Sequence, residues 1–185
     1  QEPGMVRVRV TMKAFGGLAH GKQENKFTNR EDMTMITITT VSTTAELEIC
    51  KDIRFRVFVD EQKVPAEEEL DRHDETPEAA IHILARVDGV PAGTGRLIEY
   101  DPQTAKLQRL AVLKQYRGQG VGKRLVQVLE QHAKRLGYET CILDGQCHAE
   151  PFYASLGYVT ISDKPFYDAG ILHVRMKKSL AEPRP

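Results

Sequence analysis

The sequence predicts an α+β fold: one mixed, mostly antiparallel sheet with helices on both faces. Three observations predict it. Short β-branched or alternating apolar runs recur between turn signals, as strands do. Two of the intervening turns, Asp88-Gly89 and Asp101-Pro102, are tight enough to join only antiparallel neighbours. The remaining runs are separated by segments whose apolar residues repeat every three to four positions, as in helices packed on a sheet. A chain of 185 residues, 41% apolar and 28% charged, suits one such domain.

Each element follows from its own signal. Residues 1–33 carry Gly16-Gly17, scattered charge and no sustained period, and read as an N-terminal extension, either a tag or loosely ordered. Glu2, Glu24 and Glu31 argue against an organellar leader, and Met33-Thr-Met-Ile-Thr resembles the start of a cloning-vector reading frame. The domain is expected over 34–180, with 181–185 as a tail. Residues 35–42 alternate Ile36 and Ile38 with threonines and predict a strand. Thr43-x-x-Glu46 is a capping-box pattern, and Ile49, Ile53 and Val57 continue it as a helix to about Val59. The acidic run Glu67 to Asp71 after Pro65 reads as a solvated turn. Residues 81–87, 92–100 and 107–112 form a meander of three strands. Residues 121–136 form a long amphipathic helix stopped by Gly137. The strand 140–144 follows that helix and is expected to cross over and pair in parallel. A short helix over 151–156 and strands at 158–161 and 171–177 complete the order βα-βββ-αβ-αββ.

Composition excludes several classes. Twenty-six basic and 26 acidic residues cancel, which gives no support to a nucleic-acid or membrane-surface partner. No apolar run approaches the ~18 residues of a spanning helix. Cys50, Cys141 and Cys147 form no CxxC and no metal-ligand cluster, so no metal is expected. Free thiols fit a reducing, cytoplasmic setting.

The strongest chemical signal is Gln115-Tyr-Arg-Gly-Gln-Gly-Val-Gly-Lys-Arg124, where glycines alternate at 118, 120 and 122 between a strand and a helix. Such a loop turns successive N–H groups into one concavity at a helix N-terminus, where the dipole favours an anion. Arg117, with Lys123 or Arg124, adds positive charge. It is not a Walker A loop, because Arg stands at 117 and at 124, nor a GxGxxG fingerprint, because Lys123 and Leu125 occupy the third-glycine positions. Taken alone, the loop also fits a plain strand-to-helix turn.

With its surroundings, Leu107 to Leu125 resembles the coenzyme-A-binding motif of the GNAT superfamily N-acetyltransferases, a Leu-Ala-Val strand end followed by Gln/Arg-x-x-Gly-x-Gly and a helix. Pro151-Phe-Tyr-Ala-Ser-Leu-Gly-Tyr158 is similar to the superfamily's Phe-Tyr-x-x-x-Gly-Phe helix. Phe58 to Pro65, His82, Gln146 and Gly170-Ile-Leu-His-Val-Arg-Met176 resemble a small bacterial subgroup of unassigned substrate. The last of these, with Arg109, is shared with glyphosate-acetylating enzymes.

The resemblance implies a sheet splayed at its central parallel strand pair. It implies acetyl-CoA as the acyl donor and a small-molecule or peptide amine as the acceptor, with direct attack of the amine. Leu110, Ala111 and Val112 are expected to pair with the pantetheine chain, and Arg117, Gly118, Gln119, Gly120, Val121, Gly122 and Lys123 to cradle its pyrophosphate. Tyr153 is the expected general acid, and His173 the expected general base, with His148 and His82 as rivals. Arg109 and Arg56 are the expected acceptor-binding groups. Superfamily members are often dimers, so a homodimer is an open expectation. The alternative is an acyl-CoA-binding sensory or regulatory module without turnover.

Overall fold

The structure, a computed structural model, describes residues 6–9 and 34–181. Nine strands form one sheet: β1 (Val6–Arg9), β2 (Met35–Thr40), β3 (Ile81–Val87), β4 (Val90–Asp101), β5 (Thr104–Val112), β6 (Thr140–Gln146), β7 (Val159–Thr160), β8 (Phe166–Asp168) and β9 (Ile171–Ser179). Their order is β1-β2-β3-β4-β5-β6-β9-β7, with β8 on β9. Each pairing is antiparallel except β5 with β6. The sheet is thus mixed and mostly antiparallel, and the parallel crossover falls where the helix before residue 140 places it.

The helices are α1 (Thr44–Arg54), α2 (Ala66–Glu69), α3 (Val121–Arg135) and α4 (Glu150–Ser155). Alternation along β3 shows why they take opposite faces. Ile83 and Ala85 join the core under α3, with Leu125, Val128, Leu129 and Ala133, whereas Leu84 joins the core under α1, with Leu47, Cys50, Ile53 and Val57. Among the described residues no helix is long and apolar enough to cross a membrane.

Several expectations need correction. Thr43 caps α1 by accepting from the Glu46 N–H (3.2 Å), but Glu46 accepts from Ser42 N rather than completing the box at Thr43. The helix does not stop at Val59. It continues through Phe55–Glu61 with wider turns, and Gln62 N–H reaches the Val57 carbonyl five residues back (3.2 Å). β5 begins three residues earlier than its apolar pattern suggests, and β8 had no recognisable signal. β1 pairs with β2 at the far end of the sheet, in a stretch where no sequence period announced a strand. The rest of residues 1–33 and the tail 182–185 lie outside the described residues.

The acidic run is solvated at Glu67, Glu68 and Asp71 but not at Glu69. Glu69 is buried beside Arg54, whose Nε and Nη2 donate to its side chain and carbonyl (2.7 Å each), while Nη1 and Nη2 chelate Asp74 (2.6 and 3.0 Å). Arg96, equally buried, donates to Asp71, Asp74 and Gln108 at 2.7–3.0 Å. Two buried guanidinium groups require counter-charges, and this loop supplies them. The cluster fastens residues 66–74 against β4 and β5 at one rim of the cleft described next.

Candidate active site

Parallel pairing between β5 and β6 runs from Thr104↔Thr140 to Leu107↔Leu143 and then stops. Beyond it, residues 108–112 keep only β4, and residues 144–146 keep only β9. The cause lies in β5. Arg109 has φ +52°, and the register from Gln108 to Ala111 is matched on β4 by the shorter step from Arg96 to Thr94. This extra residue is a β-bulge, which bends the strand away from its parallel neighbour. Between the separated strands lies a cleft of about 370 Å³.

One end of the cleft leads to the glycine loop. Gly118 (φ +75°) and Gly120 (φ +84°) take the left-handed conformation that residues with a Cβ avoid. Gly120 caps α3 without a side-chain hydrogen bond, so the first-turn N–H groups remain available to an anion. Val121 is a core residue and offers only its backbone; Lys123 is exposed; Gln119 donates to the Gln115 carbonyl (3.0 Å). Leu110, Ala111, Val112 and Arg117 line the cleft itself. The Arg117 guanidinium is engaged by Glu61 at 2.7 and 3.0 Å, a pairing with no sequence signal because the partners are 56 residues apart.

Tyr153 and His173 reach the same cleft from opposite sides of β6. The Tyr153 ring lies so close to Gly145 that a Cβ there would stand 3.0 Å from its edge, and it meets Phe152 edge to face. Burial pushes its hydroxyl pKa up to about 12, and that hydroxyl has no hydrogen-bond partner among the described residues. On β9, His173 is buried and stacks on Phe166. Its Nδ1 lies 2.7 Å from the Ile171 carbonyl. A carbonyl only accepts, so the neutral ring carries its proton on Nδ1 and leaves the Nε2 lone pair free.

Arg109 also lines the cleft, donating from Nε to the Glu69 carbonyl (3.3 Å) and meeting the Glu69 and Asp71 carboxylates at 3.6 Å, a looser hold than those on Arg54 and Arg96. Arg56 does not. Its side chain is 58% exposed and pairs with Asp52 along its own helix. His82 is displaced from the list of bases as well: it is buried in the sheet, bound to the His73 carbonyl (2.8 Å), and burial lowers its pKa. His148 stands at the cleft. Sequence reasoning missed Gln62, which exchanges two hydrogen bonds with Gln146 across the cleft (3.2 and 2.7 Å). It also missed Lys106 and Asp144 on the cleft wall, paired at 2.7 Å with Arg175 completing the group.

A splayed parallel strand pair, with a glycine loop and a helix N-terminus at one end, is the geometry that the GNAT resemblance implies. Residues 42–180 match the family described as "Acetyltransferase (GNAT) domain". The chain belongs to the GNAT acetyltransferase family. It is 43% identical over 126 residues to the uncharacterized N-acetyltransferase YjcF of Bacillus subtilis, spanning 68% of this chain and 87% of that one. An acyl-CoA N-acyltransferase from Pseudomonas aeruginosa superposes with a TM-score of 0.66 at 28% identity, over 77% of this chain and 97% of its own. An aminoglycoside 6′-N-acetyltransferase solved with coenzyme A has a TM-score of 0.61 at 18% identity, over 80% and 98%, a likeness of fold.

Proposed function

We propose that the chain transfers the acetyl group of acetyl-CoA to a primary amine by direct attack in the cleft between β5 and β6. The observation that carries this reading is the end of parallel pairing at Leu107 and Leu143, which leaves the backbone edge of residues 110–112 facing a cleft that leads to an uncapped helix N-terminus. An extended pantetheine chain pairs with that edge as a strand would, and its pyrophosphate lies on the N–H groups of residues 118–123. A strand N–H beyond the bulge holds the thioester oxygen as charge develops on it.

In the reaction the amine nitrogen bonds to the thioester carbonyl carbon and the carbon–sulfur bond breaks. His173 Nε2 accepts the proton that the nitrogen must lose. The departing sulfur takes a hydrogen bond from Tyr153. Full proton transfer from a phenol at about 12 to a thiolate of ordinary pKa about 8.5 is uphill, so the hydroxyl acts chiefly by stabilising the developing charge. Arg109 serves an acidic group on the acceptor, because its guanidinium is only loosely held by Glu69 and Asp71. Arg56, exposed and paired with Asp52, does not line the cleft and is given no such role. A cytoplasmic setting, with acetyl-CoA at hand, agrees with three free cysteines among the described residues.

The test is thiol release from acetyl-CoA with a panel of primary amines, some bearing carboxylates, beside thermal shift with acetyl-CoA alone. Turnover with any amine supports the transferase reading. Stabilisation by the donor without turnover across the panel would favour a sensory module instead.

A further inference from the structure

The Arg117 side chain makes two contacts that the proposed reaction leaves unexplained. Its Nε donates to the Val112 carbonyl (2.9 Å), and its two terminal nitrogens chelate the Glu61 carboxylate (2.7 and 3.0 Å). The first contact lies on the open edge of β5. Successive peptide groups of a strand point to opposite sides, and the Ala111 oxygen faces β4, 2.9 Å from where a Cβ would stand on Gly93. The Val112 oxygen therefore faces the opened side, and both Val112 and Arg117 line the cleft. A donor chain pairing with this edge needs the same carbonyl.

The second contact fixes the guanidinium there. Two parallel N–H···O bonds to a carboxylate are the most directional pairing an arginine makes, and a phosphate presents the same geometry. Glu61 closes the wide-turned segment Phe55–Glu61, whose Val57 and Phe58 form the facing wall of the cleft. With side chains 41% and 39% exposed, the pair is accessible enough for an incoming anion to exchange with the carboxylate.

We propose that Glu61 is a positioning residue for donor entry: it holds Arg117 across the Val112 carbonyl in the free protein, and the donor's pyrophosphate takes the guanidinium from Glu61 and so clears the strand edge for pantetheine. This rests on the reading of the cleft as the donor slot. It makes Arg117 act with opposite sign on the two halves of the donor, blocking the pantetheine half and attracting the nucleotide half.

The experiment measures affinities of wild type, Glu61→Gln and Arg117→Ala for coenzyme A, pantetheine and ADP by calorimetry or NMR titration. Glu61→Gln is expected to bind pantetheine and ADP each about two- to fivefold more tightly, the worth of an exposed ion pair. Arg117→Ala is expected to bind pantetheine more tightly and ADP more weakly. A purely structural role for Arg117 would weaken binding of both fragments in Arg117→Ala. Pantetheine affinity unchanged or lowered in both variants, with coenzyme A still bound by wild type, overturns the latch and leaves the donor slot standing. Failure of wild type to bind coenzyme A overturns the donor reading, and the latch with it.

Discussion

At the residue scale, the proposed chemistry divides between two side chains that line the cleft, His173 and Tyr153. The Ile171 carbonyl fixes the His173 tautomer, so Nε2 is the basic atom. His173→Ala should lower turnover about 10²–10⁴-fold with little change in acetyl-CoA affinity, measured by steady-state kinetics beside calorimetry. Near-normal turnover in a folded variant would pass the base role to His148. Tyr153 has its pKa raised to about 12 by burial and stays protonated across the working range, so Tyr153→Phe should reduce kcat by about 10²–10³-fold, the usual worth of one well-placed donor. The kcat profile should show no limb attributable to phenol ionisation below pH 10. The place of both residues at the cleft was legible because both sit in short motifs. The sequence offered no such help with Arg56. A helical position before Val57 does not reveal which way its side chain turns once the helix widens.

At the element scale, the bulge in β5 places the cleft, and the left-handed cap of α3 shapes the proposed anion site. Gly120 has φ +84° with open space around the position of a Cβ, so strain rather than collision penalises replacement. Gly120→Val, β-branched and forced toward negative φ, should turn the first N–H groups of α3 and weaken coenzyme-A binding at least about tenfold, with a small loss of melting temperature. Equal affinity in the folded variant would count against this placement of the phosphates. The loop at 66–74 is held by charge. Burial alone would raise the Asp74 carboxyl, but hydrogen bonding and charge from Arg54 outweigh it and hold it well below the ordinary carboxylate range. Breaking the pair by Asp74→Asn should cost about 3–5 kcal/mol, read from denaturant unfolding.

At the scale of the whole molecule, the same ion pairs govern acid stability. Asp71, Asp74 and Asp144 are all depressed: burial opposes ionisation in each, and arginine or lysine partners prevail. A depressed carboxyl stabilises the native state above its unfolded pKa, about 3.9, and loses that contribution as pH falls through the folded value. Glu69 works the other way, since burial raises it and Arg54 only partly offsets this, so its protonation on acidification favours the native state. With Glu61 and Asp101, which are lowered too, five depressed carboxyls against one raised predict falling stability below about pH 4, and Asp74→Asn should flatten that fall in a pH series of unfolding curves. The sheet also separates its ends. β1 pairs only with β2, and β3 and β4 stand between β2 and the cleft edge of β5. Removing residues 1–32 should therefore leave acetyl-CoA affinity unchanged by calorimetry, while a loss of binding would show that the N-terminal segment supports the cleft.

The sequence by itself determined what local pattern and short spacing can carry. Alternation gave the strands, the Asp88-Gly89 and Asp101-Pro102 turns gave the meander, and the glycine loop with the Phe152-Tyr153 helix gave the family and the cleft's principal residues. The tertiary structure decided what depends on partners distant in the chain. Glu69 and Asp74 became buried counter-ions because Arg54, 15 and 20 residues away, had nowhere else to find charge. The bulge at Arg109 became visible only in its register with β4, and Gln62 met Gln146 across 84 residues. Such contacts leave no period in the sequence, because the energy that selects them arises only when the chain has already brought the two segments together.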